Sequence, residues 1–105
     1  MTDEERQIQA ITEYYHSFGE PAFSWPELEF ERVSYSRWAI EEILVMVYSH
    51  LDWTPMRAVE EFKNLMRDYA NMTFEKDFGR GKMNFVFETA YDAACDVSDI
   101  LLAMG

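Results

Sequence analysis

The chain has 105 residues, 49% of them hydrophobic, and its 20 acids against 9 bases give a net charge of −11 at neutral pH. That length suits a single domain, 1–105, with about 6,200 Å² of surface and no room for a second core, and the apolar share is too high for a disordered tail. The acid excess argues against direct contact with nucleic acid through a basic patch and against an anionic membrane, and no apolar run approaches the length of a membrane span.

The N-terminal Met-Thr-Asp-Glu-Glu-Arg run is the opposite of a basic signal-peptide start. With a single cysteine, a cytoplasmic location is expected. Thr2 and Glu5 stand at capping-box spacing, and Asp3, Glu4 and Glu5 suit the positive end of a helix dipole. Ile8, Ile11, Tyr15 and Phe18 follow at three- and four-residue steps, and Gly19 ends the period. The first helix is predicted over 3–17.

Residues 19–33 break the pattern. Pro21 and Pro26 bar a regular helix interior, while Phe23, Trp25, Leu28 and Phe30 are too apolar for a free linker. Glu27, Glu29 and Glu31 alternate with Leu28 and Phe30, a period of two that predicts an extended, half-buried segment. An irregular aromatic and acidic loop is expected here, able to form a short strand that pairs near Phe74. It either lids the helical core or recognises a partner.

The second helix is predicted to start at Ser34 or Ser36, both competent N-caps, and to run through Trp38, Ala39, Ile43, Met46 and Val47 to Leu51. Residues 43–48 are apolar without a gap, which a buried strand also allows, but the flanks and the length favour a helix. A helix apolar on all sides is central or contributes to an oligomer interface. Thr54 caps the third helix and Pro55 takes its first position. Ala58, Val59, Phe62, Leu65, Met66 and Tyr69 then define its apolar stripe, over 55–72. Gly79 and Gly81 mark a loop over 74–82, where Lys76, Arg80 and Lys82 form the one local cluster of positive charge.

The last helix, predicted over 83–103, divides cleanly. Val86, Ala90, Ala93, Ala94, Val97, Ile100, Leu101 and Met104 fall on one side. Glu88, Asp92, Asp96 and Asp99 fall within about 80° of one another on the other, and climb the helix over about 16 Å. The expected fold class is therefore all-α: a single small four-helix domain, antiparallel, with helices two and three central. Phe62, Leu65, Val97 and Leu101 are expected in its core.

Little here has the pattern of catalysis. His16, His50 and Cys95 lack ligand spacing with one another or with the acids, so neither a metal nor another cofactor is expected. Cys95 sits beside Asp96 and near Asp92, where carboxylates disfavour a thiolate, and packs better as a small hydrophobe. Gly79-Arg80-Gly81-Lys82 lacks the strand-loop-helix spacing of a phosphate site. An enzyme is not expected.

The charge itself is arranged in blocks. Residues 1–31 carry eight acids and one base, residues 32–82 eight of each, and residues 83–105 four acids and no base. If the two ends pack side by side, they make one acidic face. Such a face either solvates the protein or steers a basic partner. The expected function is a small acidic interaction module that mimics nucleic-acid phosphates and occupies a basic groove of another protein. Its partner-binding residues would be Glu88, Asp92, Asp96 and Asp99, with Glu27, Glu29, Glu31 and Trp25 of the aromatic loop. In class and composition this is similar to the small acidic helical proteins that phages and mobile elements direct against restriction or CRISPR nucleases. No motif ties it to one family. The alternative is a helical subunit or homodimer that pairs through the all-round apolar second helix.

Overall fold

A computed structural model describes residues 2–76 and 80–104, with side chains over 2–71 and 85–104. It contains four helices: α1 (Asp3–Ser17), α2 (Glu27–Ser49), α3 (Pro55–Lys76) and α4 (Arg80–Met104). No strand occurs among the described residues, and no helix there is long and apolar enough to cross a membrane.

α1 begins where its cap predicts. The Thr2 hydroxyl oxygen accepts from the Glu5 amide at 3.1 Å, and the hydroxyl donates to the Glu5 carboxylate at 3.1 Å. Gly19 takes φ 66°, a left-handed conformation that relieves a glycine of the Cβ clash, and its amide bonds to the His16 carbonyl.

The extended segment expected over 27–33, and its pairing near Phe74, do not form. Residues 27–33 are the first two turns of α2, and Phe74 lies within α3. Pro26 stands at the N-cap, so its missing amide and fixed φ obstruct nothing. The start at Ser34 or Ser36 is corrected with it. An alternating run also fits a helix when apolar residues three apart in and beyond it meet the core. Val33 is buried and Phe30 half-buried, three apart, while Leu28 stays exposed. Glu29 and Arg32, also three apart, pair at 2.6 Å across one helical turn. The irregular connection thus shrinks to residues 18–26, closed by a turn in which the Trp25 amide bonds to the Ala22 carbonyl. It is not a lid: Phe23 is 96% exposed and stacks on Phe30 with ring centres 5.2 Å apart.

Thr54 caps α3 as expected, its hydroxyl oxygen accepting from the Arg57 amide at 3.1 Å, and Pro55 is buried at the first position. Trp53 stacks on His50 at 3.7 Å and lies under Arg57, which pins the corner between α2 and α3. Both α3 and α4 extend into the loop expected over 74–82. Residues 77–79 and the side chains of Lys76, Arg80 and Lys82 lie outside the described residues, so the positive cluster does too.

The core joins Ile11 of α1, Ala39, Ile40 and Ile43 of α2, and Val59, Phe62 and Met66 of α3 to the inner face of α4. That face is Ala90, Ala93, Ala94, Val97 and Leu101. Three alanines there let neighbouring helices approach closely, and α4 packs against each of the other three helices. The central role expected of α2 and α3 therefore passes to α4, with α3 its heaviest contact. Phe62, Val97 and Leu101 are buried as expected, but Leu65 is 42% exposed. It stands about 75° from the centre of the buried set Ala58, Val59, Phe62 and Met66, on an edge that no helix covers fully.

Candidate functional site

α4 presents its four acids outward. Glu88, Asp92, Asp96 and Asp99 are all exposed, opposite the alanine face that anchors the helix. None forms an ion pair among the described residues, where the pairs are Arg6–Asp3, Arg32–Glu29 and Lys63–Glu60. Among the described residues, Asp96 alone of the four accepts a side-chain hydrogen bond, from the Tyr14 hydroxyl of α1 at 2.8 Å. Burial, and then the Asp96 carboxylate, push the Tyr14 phenol well above its ordinary value, so Tyr14 remains a donor. This bond fastens the two acidic ends of the chain side by side. At the far end, Asp3 and Arg6 of α1 share a small cleft with Met104.

The row is a ridge between two clefts. On one side a cleft of about 220 Å³ lies between α3 and α4, floored by Met66, Ala70 and Phe87 and edged by Glu88 and Asp92. Arg67 stands at its mouth and donates to the Tyr91 hydroxyl at 3.2 Å. On the other side a cleft of about 140 Å³ lies between α4, the end of α1 and the start of α2. It is more polar, and Asp92 and Asp96 line it with Tyr14, Ser36 and Thr89.

Of the predicted acids of α2, Glu29 is linked to the second cleft through Arg32. Arg32 lines the second cleft and pairs with Glu29 at 2.6 Å, while Glu29 itself is exposed and is not part of the cleft lining. Glu31 is half-buried, and Glu27 is exposed at the helix start. Among the described residues, no hydrogen bond or ion pair ties Glu27 or Trp25 to α4, and Trp25 stays in the turn before Pro26. The structure thus brings the four α4 acids together on one helix face, and joins Glu29 to Arg32 of the neighbouring cleft without placing it, Glu27 or Trp25 on the cleft lining. Tyr14, Ser36 and Thr89 were not legible as site residues. Tyr14 adjoins the α1 stripe at Ile11 and Phe18, which is the one sequence signal it offers.

Cys95 is half-buried, and burial raises its thiol, with Asp92, Asp99 and Asp96 adding to the effect against Lys63. A thiol so placed is a poor nucleophile. Among the described residues, no group of three or more His, Cys, Asp or Glu side chains is gathered as a metal site. Comparison with known proteins finds no family profile, no curated protein and no solved structure that matches this chain.

Proposed function

We propose that this chain is a small acidic protein-protein interaction module whose α4 ridge receives a basic surface of another protein. The observation that carries the reading is the row of four exposed carboxylates on one helix face, with no lysine or arginine paired to them among the described residues. The helix below them is held by packing against all three others, so the charges sit on a fixed support. Four carboxylates over about 16 Å compare with about five phosphates along one strand of B-DNA. The partner that fits best is therefore a protein whose basic groove ordinarily holds nucleic acid. An inhibitor of the anti-restriction or anti-CRISPR kind is the specific form of this reading.

A fluorescent decaarginine peptide tests the surface. Asp92, Asp96 and Asp99 changed together to asparagine remove three charges and keep the side-chain size. A control variant with Asp3→Asn, Glu4→Gln and Glu13→Gln has the same net charge. The parent and the control should bind the peptide at 50 mM salt, the α4 variant at least tenfold more weakly, and all three should lose it at 500 mM. Equal losses in both variants would show that net charge alone attracts the peptide and would remove the ridge from the reading.

A second reading rests on α2. Its outer side exposes Trp38, Val45 and Tyr48, and Leu51 follows at 91% exposure. A strip of that kind supports pairing with a second copy of the chain.

A further inference from the structure

The smaller cleft carries a feature that surface charge does not account for. Ser36 is only 6% exposed and lines this cleft. Yet its hydroxyl has no hydrogen-bond partner in the protein among the described residues. A buried hydroxyl without a partner is destabilising, and folded proteins retain few of them. Apart from Arg32, the polar groups around it can accept a hydrogen bond. Asp92 and Asp96 offer carboxylate oxygens, and Thr89 a hydroxyl. Tyr14 has committed its proton to Asp96, so it offers a newcomer lone pairs only. Phe18 supplies an apolar wall. Arg32, the one cation on the lining, is held by Glu29 at 2.6 Å rather than by either aspartate.

A pocket whose two aspartates and hydroxyls accept, with its one cation already paired to Glu29 and an apolar wall, matches a group that has donors, no acceptor and an alkyl stem. An ammonium carries three N–H donors and a guanidinium five, and neither can accept. The volume of about 140 Å³ is several times the ~30 Å³ share of one water, enough for a cationic head and the methylenes behind it. We propose that this cleft is the socket for one lysine or arginine side chain of a protein partner. The head lies against Asp92 and Asp96 and donates to the Ser36 hydroxyl, and the stem lies along Phe18. The proposal rests on the acidic-ridge reading and adds to it a defined point of entry, which would set the register of the partner along α4.

The probes are Nα-acetyl-lysinamide and Nα-acetyl-argininamide, with Nα-acetyl-norleucinamide as the uncharged control, titrated into the ¹⁵N-labelled chain and followed by amide shifts. Shifts centred on residues 32–36 and 89–96, seen with at least one cation and not with norleucinamide, are expected. Ser36→Ala leaves the cleft open and removes the hydroxyl. It should bind the cation three- to tenfold more weakly while its melting temperature stays level or rises, a combination that a merely structural serine would not produce. Ser36→Val fills the cleft and should abolish binding. If the valine variant does not fold, the shift map and the alanine variant decide. Shifts spread evenly over the acidic residues of the whole chain, or undiminished binding by Ser36→Ala, would overturn the socket. The decaarginine comparison judges the ridge separately, so the ridge can stand where the socket fails.

Discussion

Leu65 and Phe62 stand three residues apart on α3, and their side chains have different fates. Phe62 is 2% exposed and packs against Trp38 at 5.9 Å between ring centres, whereas Leu65 is 42% exposed. Phe62→Ala should cost about 3–5 kcal/mol in urea melts, from lost transfer energy and the cavity left behind. Leu65→Ala should cost under about 1 kcal/mol, because much of its surface already meets water. Comparable losses would mean that the α3 stripe is centred elsewhere. At Tyr14 the consequence is a pH dependence. Its phenol lies above the ordinary value when folded, chiefly through burial and then through Asp96. The native state therefore binds that proton more tightly than the unfolded chain does. The stabilisation is complete below about pH 10 and is lost as pH climbs through the raised folded value. Tyr14→Phe should cost about 1 kcal/mol at neutral pH and should flatten the fall in urea midpoint between pH 9 and pH 11.5. An unchanged slope would show that Tyr14 titrates as an open phenol.

α4 is where stability and charge are set against each other. Glu88 and Asp92, and Asp92 and Asp96, stand four apart, and like charges at that spacing cost a few tenths of a kcal/mol per pair. Within the described residues, no base offsets them by an ion pair. The triple asparagine variant should consequently melt at the parent's temperature or slightly above it. The Asp96→Asn change in it keeps a side-chain carbonyl for the Tyr14 hydroxyl, so the link between α1 and α4 should survive. A marked fall in melting temperature would show that the carboxylates have structural partners. α2 carries the opposite tension. Its apolar run over 43–48 buries Ile43 and Val47 and leaves Val45 and Tyr48 outside.

For the whole molecule, the net charge of −11 opposes self-association at low salt through repulsion. The interaction-module reading therefore expects a monomer in sedimentation equilibrium at micromolar concentration and 50 mM salt. A dimer that persists at 500 mM salt would favour the α2 strip instead, since apolar pairing does not weaken as ionic strength rises.

Helical class was legible locally. The cap at Thr2, the corner Thr54-Pro55 and the three-four stripes of α1, α3 and α4 act within a turn or two, and the structure has helices where they point. The opposed faces of α4 were legible for the same reason, since a 100° turn per residue sorts side chains before any neighbour is known. The start of α2 was not. Over 27–33 a period of two and a helix that buries Phe30 and Val33 are the same letters, and contact with the rest of the bundle decides between them. The place of α4 at the centre, the exposure of Leu65, and the meeting of Tyr14, Ser36, Asp92 and Asp96 in one cleft also belong to the tertiary structure. Those residues come from three helices up to 82 positions apart. Only the packing angles of the helices, which no local pattern specifies, bring them within reach of one another.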